Sequence, residues 1–327
     1  APDAASVQST GINVSPNAGA VTINAEKSAT LSGQINLTAS EGLGGAVEIN
    51  SAGNISLDSV AINTSGSEAG GTILISGGAR DQNEPVAPGF PSKPSAPDSV
   101  LLFGNTVLSS SSRRGKGGTV EVLGNQVGLL DNTFINVSGQ LGGGTVLIGG
   151  GFQGKDPAVR NADAVYVGKD VDINADALGN GAGGKVVIWS DAVTTYLGDI
   201  SAQGGASGGD GGFVEVSSHG QLNYLGQVNT KAALGHVGTL LLDPADLIIS
   251  SSNSDTNISG ATPFTPSDAT SYLSVSTLQN ALANSDVVVQ TGADSGSGTG
   301  NITVANTFSW VNPFSLTLKA YNHLNLN

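Results

Sequence analysis

The chain has 327 residues with 48 glycines, no cysteine, no methionine, 12% charged residues and a net charge of −14. Absent cysteine excludes a disulfide scaffold, a thiolate metal centre and a cysteine nucleophile. With 12 basic residues against 26 acidic ones, nucleic acid is excluded as a natural partner. The glycines lack an every-third period, which excludes collagen, and no apolar run reaches the ~18 residues of a membrane span.

Read from the start, Ala1-Pro2-Asp3 carries no signal-type segment and no initiating Met, as in a processed chain or a fragment. A glycine then recurs ahead of a short alternating strand. Its positions are Gly45, Gly71, Gly118, Gly144, Gly184, Gly212 and Gly238, at spacings of 26, 47, 26, 40, 28 and 26 residues. Two positions after each glycine stand Val47, Ile73, Val120, Val146, Val186, Val214 and Leu240. Four positions after stand Ile49, Ile75, Val122, Ile148, Ile188, Val216 and Leu242. This is period-2 alternation with one buried face, repeated in register. Gly300, followed by Ile302 and Val304, reads as a further anchor.

A second strand follows at Ile62, Ile135, Ile200 and Val228, and weaker apolar stretches such as Ile55-Ser56-Leu57 and Val127-Gly128-Leu129 lie between. The chain is therefore expected to be all-β, a parallel β-helix (solenoid) with about three strands per coil of about 26 residues, lateral insertions and one short helix. The anchor glycines are expected at corners that need φ > 0 or close backbone stacking. A β-sandwich would not need the fixed registry.

The long spacings place insertions near 78–99 and 149–165, inside a β-helix that covers 1–249. A third, 250–285, is expected to lie outside the coil and to contain a helix over 277–283, with Ser276 and Gln279 at capping-box spacing. Residues 286–327 continue the β-helix and end uncapped. All three insertions are expected to leave along one edge. The outward residue of the first strand is Leu74, Leu147 or Leu241 where an insertion follows and Glu48, Glu121 or Glu215 where none does. Each insertion is thus expected to cover its own leucine. Pro85, Pro88, Pro91, Pro94 and Pro97 recur every third residue, the period of polyproline II, and form one stripe of a stiff strap or a surface for a partner.

Chemistry is sparse. Catalytic, cofactor and metal-ligating residues are all read as none. The carboxylates of Asp243 and Asp246, and of Asp163, Asp170 and Asp172, read as solvated turn formers rather than the pair a glycosidase needs. The three histidines His219, His236 and His323 are scattered, and Arg113, Arg114 and Lys116 form a solvated corner. Residues 204–210 loosely match a Ca²⁺-binding nonapeptide, once only.

Several runs together resemble the filamentous-haemagglutinin-like adhesins of Gram-negative bacteria and cyanobacteria. They are Gly117-Gly118-Thr119-Val120-Glu121-Val122, Gly143-Gly144-Thr145-Val146-Leu147-Ile148, Gly211-Gly212-Phe213-Val214-Glu215-Val216, Gly238 to Asp246, and Ser276 to Leu282. The resemblance spans most of residues 100–327. It implies a right-handed β-helix, secreted to the cell surface or medium by two-partner secretion through an outer-membrane β-barrel transporter. It implies adhesion to host cells, surfaces or matrix polysaccharide without enzymatic activity. The family's secretion domain carries Asn-Pro-Asn motifs and this chain has none, so it reads as an interior or downstream segment. Its last strand could stack end to end on another copy as a fibre or sheath subunit, and a polysaccharide lyase or hydrolase is the remaining alternative.

Overall fold

The computed structural model describes residues 5–13 (as backbone), 19–77, 98–251, 270–292 and 298–327. Its strands pair in parallel, each with the corresponding strand of the next coil, and wind into a parallel β-helix of three faces. The first face is a ten-stranded sheet. Nine steps of about 4.8 Å make it about 43 Å long. The second and third faces belong to a 13-stranded sheet, joined where Ala29–Asn36 and Ile55–Asn63 run continuously around the corner. A four-stranded sheet continues the second face.

On the first face Val120, Val146, Val186 and Val214 align in one column, as the repeat requires. The column extends from Val21 through Val47 and Ile73 to Leu240, Val287 and Leu316. The members from Val47 to Val287 are at most 1% exposed. Each buried aliphatic contributes roughly 1.5–3 kcal/mol. On the third face Ile62, Leu108, Ile135, Ile173, Ile200 and Val228 align likewise. The Asn after four of these, Asn63, Asn136, Asn174 and Asn229, accepts from the backbone N–H two residues on and bends the chain toward the next corner.

The anchor glycines sit at that corner. None has a positive φ. Each instead lies against the carbonyl oxygen of its counterpart one coil back. A Cβ on Gly71 would lie 1.9 Å from the Gly45 oxygen, on Gly118 2.0 Å from Gly71, on Gly144 2.1 Å from Gly118, on Gly184 2.2 Å from Gly144, on Gly212 2.2 Å from Gly184, and on Gly238 2.0 Å from Gly212. The preceding glycines form a second column against the carbonyls of the third face: Gly117 would meet Val137 O at 1.8 Å and Gly211 would meet Thr230 O at 1.7 Å. The corner closes by a hydrogen bond inside each coil, for example Gly144 N–H to Val137 O at 2.8 Å. Gly19, 26 residues before Gly45, begins the same ladder through Ala46 N–H to Gly19 O at 3.0 Å. The residue before it is Ala18 rather than a glycine.

The structure departs from the sequence expectation at several points. Gly300 is no first-face anchor: Ile302 and Val304 pair with Leu247 and Ile249 on the second face, and the first-face column continues instead through Val287 and Leu316. The second insertion ends at 161 rather than 165, because Ala162–Val167 is a second-face strand of the coil. The third insertion leaves after the second-face strand Asp246–Ser250, at a different corner from the other two. Its returning part is not outside the coil. Strand Thr270–Ser274 wedges between Gln221–Tyr224 and Asp246–Ser250, with Leu222 N–H on Ser271 Oγ at 2.8 Å. The helix runs Val275–Ala281 and takes the third-face place over strand Gln227–Asn229. Its N-cap is Ser274, whose Oγ accepts from Thr277 N–H at 3.0 Å, because the chain enters straight from the wedge strand; Gln279 reaches Ser309 O instead of closing a box with Ser276. The proline stripe lies outside the described residues, as do 78–97 of the first insertion.

Gly144→Ala should destabilise the coil by roughly 3 kcal/mol, since its Cβ meets backbone rather than a movable side chain. Gly292→Ala, with nothing within 4 Å, should change stability by no more than about 0.5 kcal/mol. Thermal and denaturant midpoints of the two variants test the difference.

Candidate functional site

The second insertion, 149–161, folds back across the outer surface of the first face. It turns on left-handed Gly149 (φ 72°) and Gly154 (φ 61°) and on Gln153, which holds φ 54° without being glycine. A left-handed non-glycine residue costs roughly 1–2 kcal/mol. At Gln153 this is offset by its backbone N–H, which lies 3.2 Å from both Glu215 carboxylate oxygens. Val159 packs on Leu147, Val187 and Trp189, a small core separate from the one inside the coil. Phe152 meets Phe213 edge-on with centroids 5.7 Å apart, and Lys185 Nζ lies 5.3 Å over its ring. At its end, Arg160 donates to Gly77 O at 2.8 Å and to Asn125 Oδ1.

Between insertion and coil is a cleft of about 480 Å³, lined by Gln153, Lys155, Asn161, Trp189, Asp191, Ser218, His219, Asp243, Pro244 and two glycines. Several of its polar groups bond to one another. Trp189 Nε1 and Asn161 Nδ2 donate to Asp191 Oδ1 at 3.1 and 3.2 Å. Gln290 Nε2 and Gln153 Nε2 donate to Asp243 Oδ2 at 2.7 and 3.4 Å. Lys155 Nζ donates to Gln153 Oε1 at 2.9 Å. Burial pushes the Glu215 carboxyl up to about 7, against the hydrogen bonds from Gln153 and Ser217. Burial likewise raises Asp243, opposed by Gln290, Lys155 and His219.

Leu147 and Leu241 are 9% and 5% exposed, but Leu74 is half-buried and Glu215, expected to be solvated, is completely buried. The insertion therefore covers more than its own leucine: it reaches two coils on and closes over a carboxylate. Asp243 and Asp246, neighbours in sequence, separate. Asp246 leaves the cleft and accepts from Thr299 N at 2.8 Å and Asn301 N at 2.7 Å. Asp163 and Asp170 do not join Asp172, which stacks on Asp199 of the next coil and is raised by burial and by Asp199 and Asp176. Asp210, inside 204–210, takes the N–H and ring of His236 at 2.7 and 3.2 Å. Among the described residues no group of three His, Asp or Glu could hold a metal ion. Gln153, Asn161, Trp189, His219 and Glu215 were not singled out as site residues from the sequence. A tryptophan and a glutamate on outward positions, in a chain with only 2 tryptophans, were the available signal.

A second, shallow concavity of about 610 Å³ follows the glycine corner from Gly143 to Gly238, edged by Lys185, Phe213, Asp210 and His236.

No family model matches the chain, and no curated protein matches it. Among solved structures it is similar to the HMW1 secretion domain from Haemophilus influenzae, at 17% identity over 73% of this chain and 64% of that one, with a TM-score of 0.41.

Because the folded pKa of Glu215 lies above the usual 4.5, the folded state binds more protons than the unfolded one between about pH 4.5 and 7. Its stabilising contribution is full below that interval and is lost as pH rises through about 7. Denaturation midpoints of the wild type should thus rise on acidification across the interval. In Glu215→Gln that part of the pH dependence should vanish; equal slopes in both proteins would contradict the assignment.

Proposed function

We propose that the chain is a structural, non-enzymatic segment of a secreted adhesin, a rod that presents an attachment surface to cells, abiotic surfaces or matrix polysaccharide. On this reading it is exported by two-partner secretion through an outer-membrane β-barrel transporter. The observation that carries the proposal is the uninterrupted ten-strand stack of like residues, a geometry that extends a surface without enclosing a reaction chamber. The order and spacing of the runs between Gly117 and Leu282, which resemble the filamentous-haemagglutinin-like adhesins, support it. So do the bonds from Gln153 to Glu215 and to Asp243 Oδ2, which tie the insertion to the coil.

One observation favours a second reading. Asp191, Asp243, His219 and Lys155 converge on one cleft, as a polysaccharide lyase or hydrolase would require.

Particles coated with the purified chain should be retained on cultured cells, on polysaccharide films or on bare surfaces, and Asp243→Asn with Asp191→Asn should leave retention unchanged. Loss of retention on every surface tested would remove the adhesive reading. Release of reducing ends from polysaccharide, abolished by the same two substitutions, would establish the enzymatic one. Electron micrographs showing continuous filaments of the chain alone would turn the reading toward a fibre subunit.

A further inference from the structure

The peptide bond between Asp243 and Pro244 lies in the wall of the cleft. An Asp-Pro bond is intrinsically weak. The aspartate side chain can close a five-membered ring on its own carbonyl carbon, and proline is a tertiary-amide leaving group that departs as a basic secondary amine. Proximity is therefore supplied by the residue itself, and what a fold can add is alignment, an oxyanion donor and an acid.

This fold offers a group for each role. The Asp243 backbone is held on both sides, its N–H donating to Ser217 Oγ at 3.1 Å and its carbonyl oxygen accepting from Ser218 N–H at 3.3 Å. One carboxylate oxygen, Oδ2, is fixed by Gln290 and Gln153, which leaves Oδ1 as the nucleophile. His219 lines the same cleft as Pro244. We infer that Asp243-Pro244 is a self-scission site, cut by the Asp243 carboxylate with His219 as the acid and Ser218 N–H as the oxyanion donor.

In the first step Oδ1 bonds to the Asp243 carbonyl carbon. The C–N bond to Pro244 breaks, its electron pair leaves with nitrogen, and that nitrogen takes a proton from the His219 imidazolium. Water then opens the cyclic anhydride, giving the side-chain carboxylate and a new terminal carboxylate. Of the two protons released, one returns to His219 and one charges the proline amine, so the sum is one water consumed. Burial raises the Asp243 carboxyl, which makes its ionised oxygen the stronger nucleophile. The charged groups around it are Lys155 on the insertion, His219 after the first-face strand, Asp191 on the second face and Glu215 on the first.

The chain contains its own reference bond, Asp156-Pro157, where Asp156 is exposed. The folded protein is held near neutral pH and its intact mass followed over days, beside the same protein unfolded in denaturant. Fragments ending at Asp243 and beginning at Pro244, whose masses sum to the parent plus one water, are expected. Their formation should be at least about tenfold faster than scission at Asp156-Pro157 and than the same bond in the unfolded chain. His219→Asn, which removes the acid, should slow scission at Asp243-Pro244 by at least about tenfold while leaving scission at Asp156-Pro157 unchanged. Asp243→Glu, which keeps the charge but needs a six-membered ring, should slow it. Equal rates at the two Asp-Pro bonds, or faster scission in the unfolded chain, would overturn the inference, and that comparison needs no variant to fold.

Discussion

Every coil of this protein must hydrogen-bond in parallel to the coil before it at about 4.8 Å, and at one corner the two backbones come closer than any side chain permits. The paired glycine columns are the consequence: where a Cβ would stand, a carbonyl oxygen of the next coil already does in the column of preceding glycines, and that of the previous coil does in the anchor column. That oxygen also accepts the first hydrogen bond of the next first-face strand, as in Thr145 N–H to Gly118 O at 2.9 Å, so the contact which forbids a side chain is the one that sets the register. Once register is set, each position has the same environment in every coil, and aliphatics fall on aliphatics.

The same stacking explains the low charge. A charged residue repeated in every coil would sit about 4.8 Å from its like, a repulsion of roughly 3 kcal/mol near a protein surface. On the outward column of the first face the sequence avoids this by alternation: Glu48, Leu74, Glu121, Leu147, Val187, Glu215, Leu241. No two glutamates are adjacent. Apolar outward residues are thus spacers as well as footholds for an insertion. Where like charges do stack, at Asp172 and Asp199, the carboxyl of Asp172 is raised.

The second insertion uses this outer surface as a floor. Its ties reach back to Gly77 and forward to Glu215 and Asp243, so a segment between two consecutive strands spans coils wound long before and after it. A buried carboxylate is an expensive anchor, and its burial is what makes this part of the fold respond to pH. Further along, the wedge strand Thr270–Ser274 and the helix Val275–Ala281 together replace one second-face and one third-face strand. Ser285, following the helix, then occupies the place a glycine holds in the earlier coils, and its Oγ accepts from Thr230 Oγ1 at 2.9 Å.

The period, the inward columns and the corner glycines were legible in the sequence, because each rests on local alternation or on a contact that recurs at a constant interval. Val120, Val146, Val186 and Val214 could be aligned before any coordinate was known. What the tertiary structure alone decided is everything that breaks the interval. Ile302 and Val304 alternate as a first-face strand does, yet the wedge shifts the count by a strand and they land on the second face. Glu215 has the outward position of a solvated residue, and only the path of an insertion 62 residues earlier buries it. Periodicity records which way a side chain points relative to its own strand. It holds no information on what a distant loop lays on top, because that is set by contacts between residues with no fixed separation along the chain.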